Sequence, residues 1–372
     1  MVKTHLGGII MKRILIAIGT RPEAIKLCPI LPALRQKEME PIVCSTGQHA
    51  ELLEEALRDY GVEPQISFSS MEPGQPLTEL LAKLMKGFGE AIRQTKPDCV
   101  MVQGDTATAF AGALAAFYES IPVAHIEAGL RTNQIKSPFP EEMQRRAIAP
   151  LATYHFVPTA FAKQNLLHEG VDESRIFLVG NTVIDALKYS QSRPVTPEWD
   201  LPPRLFPILF TAHRRENFGK PMAGMFRALR RIVESHENVF AICPLHSNPK
   251  VREAARVWEG CDRIRVIDPP GPVRFHALLS KCRLVMTDSG GIQEEVTSLG
   301  IPTVVMRYST ERMEGVRAGC LLLSGTHEDG IVCAVNALLR PNSELYEQMS
   351  HPSDVFGDGK AAEKIAAVLA RS

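Results

Sequence analysis

Short apolar runs alternate with amphipathic helical stretches along this chain, and that alternation limits the fold more than any other feature. In the first half the runs cover residues 14–18, 41–44, 99–102, 123–126, 155–157 and 176–179. In the second half they cover 208–210, 239–242, 264–267, 284–286 and 303–305. Runs this short, apolar on both faces and separated by helices, fit parallel strands covered on both sides, the α/β class. Prolines crowd residues 190–207, at Pro194, Pro197, Pro202, Pro203 and Pro207, and mark a connector or the loop before a second domain. The halves are similar in length and each repeats the alternation. Two Rossmann-like, doubly wound domains facing each other across a cleft are therefore expected, with ligands beyond the carboxyl ends of strands.

Composition narrows the partners. The 42 basic and 42 acidic side chains cancel, so no global field favours nucleic acid or an anionic membrane. No apolar run approaches the roughly 20 residues that span a bilayer. Residues 1–11 lack a long apolar core and a cleavage site, so a signal peptide is not expected, and Met11 is a candidate natural start. Among eight cysteines there is no C-x-x-C pair; Cys99, Cys243 and Cys282 lie in or beside apolar runs, where a reduced Cys is a small core residue. H-E-x-x-H is also absent, so no metal is expected, and the compartment is the cytoplasm.

The strand ends carry the chemistry. After residues 284–286 comes Thr287-Asp288-Ser289-Gly290-Gly291-Ile292-Gln293-Glu294-Glu295. Two glycines let backbone approach a ligand, and a helix start adds unpaired N–H donors that suit a phosphate or diphosphate. Glu294 and Glu295, one turn on, would repel phosphate but accept from a ribose. The plainer alternative makes Ser289 only an N-cap and the glycines a tight turn. After residues 14–18, Gly19-Thr20-Arg21-Pro22-Glu23 opens a helix in which Arg21 and Lys26 form an anion clamp, or Glu23 and Lys26 a surface pair. Asp105 closes the run at residues 99–102, as a functional acid or an N-cap. Glu127 ends residues 123–126 with no capping role, so its charge needs water, a partner or a ligand. Glu141 and Glu142 start a helix with Arg145 and Arg146, which ordinary first-turn pairing explains. His213-Arg214-Arg215 has an anion-site character, unless the arginines serve a solvated face. Neither a G-x-G-x-x-G turn nor a G-x-x-x-x-G-K-[ST] loop is present.

In order along the chain stand G-T-R-P-E-A-I-K, Q-G-D-T-A-T, H-I-E-A-G-L-R, S-P-F-P-E-E-M-Q-R, G-N-T-V-I-D-A-L, H-R-R-E-N, P-L-H-S-N-P, T-D-S-G-G-I-Q-E-E and T-E-R. Together they resemble the non-hydrolysing UDP-N-acetylglucosamine 2-epimerases over nearly the whole chain from Met11. The resemblance implies a glycosyltransferase-B arrangement: an N-terminal domain over residues 12–188, a UDP-binding domain over 189–357, and a last helix, 358–372, packing back on the first. It implies interconversion of UDP-GlcNAc and UDP-ManNAc through a 2-acetamidoglucal, with no cofactor, by a homodimer serving polysaccharide biosynthesis. Asp105, Glu127 and Glu141 match the family's three implicated carboxylates, and His213 its site histidine. Arg21, Lys26, His213 and the backbone of Ser289, Gly290 and Gly291 match the diphosphate site. Glu295 matches the ribose ligand, Arg312 another nucleotide contact, and Phe275 the aromatic near uracil.

Departures concern the loop Asp268-Pro269-Pro270-Gly271-Pro272, where relatives often carry Gln and Tyr at Pro270 and Pro272, and Met313, where a Pro often follows T-E-R. Of the residues matching an allosteric set in some relatives, Gln48 and His246 are kept, but Gly74 stands in place of Arg. The alternatives are a hydrolysing epimerase, an epimerase of a modified UDP-sugar, and a retaining glycosyltransferase.

Overall fold

The computed structural model describes residues 11–47, 50–72, 74–193, 195, 199, 202, 204–245 and 248–371. Residues 1–10 and connector residues Pro194, Pro197 and Pro203 lie outside the described residues. The chain divides into two compact units, Met1–Ala186 with Gly357–Ser372, and Leu187–Phe356.

Among the described residues, the first unit holds a seven-stranded sheet: β1 (Lys12–Ile18), β2 (Met39–Ser45), β3 (Ile66–Ser67), β4 (Cys99–Gln103), β5 (Val123–Ile126), β6 (Tyr154–Val157) and β7 (Ile176–Leu178). Their order is β3-β2-β1-β4-β5-β6-β7, parallel throughout. The second unit holds a six-stranded sheet: β8 (Phe206–Thr211), β9 (Val239–Pro244), β10 (Ile264–Ile267), β11 (Leu284–Thr287), β12 (Thr303–Val305) and β13 (Leu321–Leu323). Its order is β10-β9-β8-β11-β12-β13, again parallel. Strand order reverses between β1 and β4, and between β8 and β11. In open α/β sheets these switch points are where ligands bind.

Burial explains the sequence pattern. Ile14 to Ile18 of β1 are fully buried, because helices cover both faces of the sheet. On one face Leu15 and Ala17 join Phe88, Val100 and Val102 in a common core. The helix Ala107–Tyr118 is rich in Ala and carries Gly112, which lets it lie close to the sheet. A Cβ at Gly112 would stand 3.2 Å from Val102 Cγ1 and 3.4 Å from Ala17 Cβ. In the second unit Phe210, Phe226 and Trp258 cluster, with Phe226 and Trp258 stacked at 4.4 Å and Trp258 Nε1 donating to the Phe226 carbonyl at 2.8 Å. Cys99, Cys243 and Cys282 are buried core residues, and burial raises all three thiols, Cys99 and Cys282 to about 12.

Every predicted strand forms, and β3 and β13 add to them. Only two residues long and not fully buried, β3 has no apolar run to reveal it. The three leucines of β13 carry no β-branched residue and favour helix locally; pairing with β12 decides their state. The connector is shorter than its prolines imply. The helix Thr182–Gln191 runs through Ser190, and β8 begins at Phe206, so Pro207 lies within a strand. The final helix, Ala361–Arg371, packs on the helix Ile30–Gln36. Its first amides, of Ala361 and Ala362, donate to the Asp185 carboxylate at 3.2 and 2.9 Å, and Lys12 Nζ donates to the Leu369 carbonyl at 3.0 Å. Among the described residues no helix is long and apolar enough to cross a membrane.

Candidate functional site

In the first unit the candidate residues gather at the carboxyl ends of β1, β4 and β5. Thr20 caps the helix Arg21–Leu27, with Pro22 in its first turn. Glu23 completes a reciprocal capping box but goes further. One carboxylate oxygen accepts from the amides of Gly19 and Thr20 at 2.8 and 2.7 Å, and the other accepts from Thr106 Oγ1 at 2.5 Å. The side chain is fully buried, and that burial, against its hydrogen bonds, raises its pKa to about 7. Lys26 does not pair with Glu23 at the surface. It is buried, and its Nζ lies 2.5 Å from Glu127 Oε1. Arg21 is half-buried at the helix start.

Glu127 sits just beyond β5 with φ 61° and is buried. Besides Lys26 it accepts from Asn181 Nδ2 at 2.9 Å and from Gln103 Nε2. The charge that sequence left without a partner is thus met by three donors from three segments. Asp105 is not the helix cap; the Thr106 side chain holds that position, accepting from Ala109 N at 3.0 Å. Asp105 instead pairs with Arg145 Nη2 at 2.5 Å. First-turn pairing explains Glu142, which is fully buried and binds Arg145 and Arg146, each at 3.2 Å. It does not explain Glu141, whose Oε2 is buried without a hydrogen-bond partner. Arg145 therefore joins Asp105 to the helix that Glu141 begins. Behind β5, His125 donates from Nε2 to the Gly104 carbonyl at 2.8 Å and faces His155 of β6 across the ladder. Burial pushes His125 down to about 4 and His155 to about 3.

In the second unit the ends of β8 and β11 are tied by Asp288, which is fully buried. Its carboxylate accepts from the amides of His213 and Arg214 at 3.1 and 3.0 Å and from Asn217 Nδ2 at 3.0 Å. The His213 ring stays open to solvent, with Nδ1 3.7 Å from Asp288 Oδ1. Ser289 occupies the N-cap position of the helix Gly290–Leu299, yet its side chain makes no cap hydrogen bond. The two glycines differ. A Cβ at Gly290 would stand 2.8 Å from Arg312 Nη1 and 3.0 Å from Glu311 Oε1, whereas one at Gly291 would meet nothing within 4 Å. A side chain at Gly290 would thus displace the ends of Arg312 and Glu311, whereas Gly291 borders open space.

Beside this turn, Glu311 is shared by Arg312, Arg307 and Arg214 at 2.5, 3.0 and 3.4 Å. Burial raises its pKa, but the three guanidiniums outweigh that and hold it well below the carboxylate range. Arg312 also binds Glu294 at 3.0 Å, so the two adjacent acids of the motif part company: Glu294 serves Arg312 while Glu295 faces His276 at 3.3 Å. Phe275 is half-buried against the core, its ring centroid 6.2 Å from that of His276. Three cations around one carboxylate, next to a helix start, suit a diphosphate.

Sequence reasoning gave no role to Glu23 beyond a surface pair, none to Gln103, Asn181, His276, Glu311 or Asp288, and to Arg145 only first-turn pairing. Gln103, Asn181 and Asp288 stood at strand ends within conspicuous motifs, which was the available signal. Gln48 and His246 lie outside the described residues. Gly74 has φ 75°, where an Arg would be strained.

The family model described as UDP-N-acetylglucosamine 2-epimerase matches residues 32–370. A UDP-N-acetylglucosamine 2-epimerase of Bacillus subtilis is 44% identical over 363 residues, 96% of this chain and 94% of the relative. The crystal structure of the Neisseria meningitidis UDP-GlcNAc 2-epimerase bound to UDP-GlcNAc matches with a TM-score of 0.91 at 37% identity, over 97% of this chain and 100% of that one. An S. aureus MnaA–UDP co-structure matches with a TM-score of 0.88 at 43% identity, over 95% and 94%.

Proposed function

The chain belongs to the UDP-N-acetylglucosamine 2-epimerase family, and from that premise we propose that it interconverts UDP-GlcNAc and UDP-ManNAc by eliminating and re-adding UDP. An enzyme carboxylate takes the C2 proton. The C–H electron pair becomes a C1=C2 double bond, and the C1–O bond breaks to release UDP with its electrons. A proton then reaches the opposite face of C2 in the 2-acetamidoglucal as a UDP oxygen rejoins C1. Hydrogen and charge balance without a redox cofactor. Two faces of one carbon need two proton-transfer stations, for which Asp105, Glu127 and Glu141 are the candidates.

The first unit supplies these acids, with Arg145 orienting Asp105 and Lys26 assigned to Glu127 in place of the diphosphate. The second supplies UDP binding. The open backbone at Gly291, the adjoining backbone of Ser289 and Gly290, His213 and the Arg214, Arg307 and Arg312 cluster hold the diphosphate. Glu295 takes the ribose and Phe275 the uracil. A cytoplasmic homodimer serving polysaccharide biosynthesis belongs to the same proposal.

The observation that best supports proton chemistry is the buried Glu127 carboxylate at the end of β5, beside Gln103 and near the Asp105 turn. The test is incubation with UDP-GlcNAc in heavy water without NAD, followed by proton NMR. UDP-ManNAc should form with deuterium at C2. Epimer formed with its C2 proton fully retained would overturn elimination, and free ManNAc in place of UDP-ManNAc would favour a hydrolysing enzyme.

A further inference from the structure

We infer that His276 is a positioning residue that sets the selectivity of the second unit for ribonucleotides over deoxyribonucleotides, by fixing which oxygen of Glu295 is available to a ligand hydroxyl. The imidazole is buried between two polar side chains. Nδ1 lies 2.7 Å from Ser190 Oγ, on the helix Thr182–Gln191, and Nε2 lies 3.3 Å from Glu295 Oε1. Ser190, His276 and Glu295 are only 4%, 2% and 6% exposed.

The direction of the chain follows from its ends. A carboxylate oxygen only accepts, so Nε2 carries the hydrogen toward Glu295. With Nε2 protonated in the neutral ring, Nδ1 accepts and the Ser190 hydroxyl donates. Glu295 thereby favours this tautomer, the Ser190 hydroxyl complements it at Nδ1, and the imidazole stands 3.3 Å from Oε1. The other oxygen, Oε2, is buried and has no hydrogen-bond partner. Leaving a buried acceptor unsatisfied is costly, and what satisfies it must be a donor. A phosphate is excluded by charge, whereas a sugar hydroxyl fits. Glu295 stands five positions beyond Gly290 in one helix, about 7.5 Å along the axis. A group bound at the helix start and a hydroxyl at Glu295 are thus within the span of one nucleotide. This inference rests on the assignment of Glu295 to the ribose. What it adds is that Glu295 cannot discriminate alone, since without the imidazole its carboxylate is free to turn.

The experiment measures the Kd of UDP and of 2′-deoxy-UDP, and of the 3′-deoxy isomer, by calorimetry on full-length protein. The variants are Glu295→Gln, His276→Phe, His276→Gln and Ser190→Ala. The readout is the ratio of deoxy to ribo Kd, which a general loosening of the fold lowers for neither ligand in particular. For wild type the ratio should reach about tenfold or more for at least one deoxy isomer, the scale of a hydrogen bond to a charged group. It should fall toward one in Glu295→Gln and His276→Phe and recover partly in His276→Gln, whose amide still donates. Should His276→Phe fail to fold, Ser190→Ala decides, with a smaller fall in the same ratio expected. A ratio lost in Glu295→Gln but kept in the His276 and Ser190 variants would overturn the role of His276 alone. A ratio unchanged in Glu295→Gln would overturn the ribose assignment and the inference with it.

Discussion

The two units place opposite kinds of polar chemistry at corresponding switch points of the same sheet topology. At the β1–β4 reversal Glu23 is sunk in the core among neutral donors, while Glu127 and Asp105 each meet a cation, Lys26 and Arg145. Glu23 is raised to about 7 by burial, and His125 nearby is lowered to about 4. At the β8–β11 reversal the buried acids are saturated. Asp288 is wrapped by two amides and an asparagine, and Glu311 is outnumbered by three arginines. Topology brings charge to these places, but the neighbours decide whether a group exchanges a proton near neutrality or stays charged. On the proposed function, the first unit handles protons and the second holds an anion.

If that division is right, variants in the first unit should change turnover without changing UDP affinity. Asp105→Asn and Glu127→Gln should each lower turnover at least about a hundredfold, the scale of a lost general acid or base. Glu127→Gln should also cost about 3–5 kcal/mol of stability, because it leaves the buried Lys26 ammonium without its partner. Steady-state kinetics, UDP calorimetry and denaturant melts on one preparation check all three. A large loss of UDP affinity in Asp105→Asn would break the division.

The next largest effect is on pH. Glu23 has a folded pKa of about 7 against an ordinary 4.5, so the folded state binds more protons between those values. Stability from this group is therefore full at low pH and falls as pH rises through that window, by about 3 kcal/mol in all. Measured by urea unfolding, Glu23→Gln minus wild type should climb by that amount from pH 4.5 to 7 and then level. His125 acts in the opposite sense. Its folded value near 4 lies below 6.5, so its contribution is lost as pH falls from about 6.5 toward 4.

Smaller effects sharpen the second unit. Gly291→Val should weaken UDP binding about tenfold, roughly 1.4 kcal/mol, with little change in melting temperature, since its side chain enters space open to a ligand. Gly290→Val should instead lower the melting temperature by displacing Arg312 and Glu311, so its effect on UDP would not separate fold from site. Smallest of all, Ser289→Ala should alter stability by less than about 0.5 kcal/mol, because its side chain makes no cap bond; a loss near 1 kcal/mol in thermal melts would restore it as an ordinary cap.

Much of the fold was legible because buried parallel strands leave unbroken apolar runs. The runs at residues 123–126, 264–267 and 303–305 coincide with β5, β10 and β12. Edge strands β3 and β13 were hidden, since pairing and not local propensity makes them. At the site, sequence marked Asp105, Glu127 and the S-G-G turn as strand-end features, but local spacing misassigned their neighbours. An i, i+3 pair looked natural for Glu23 and Lys26, and each found a partner on another segment instead. Likewise Gly290 and Gly291 are identical letters, and only the position of Arg312 tells them apart.

The sequence by itself determined the alternation, and hence the α/β class, the two sheets and the strand ends at which polar residues fall. Those follow from burial periodicity and turn chemistry, which act within a few residues. Tertiary structure decided the rest: which acid meets which cation, why Glu142 and not Glu141 is saturated, and how Glu294 and Glu295 divide between Arg312 and His276. A charge in a low-dielectric interior is governed by whatever lies within a few ångströms of it, and in a wound sheet those neighbours come from strands and loops far away along the chain.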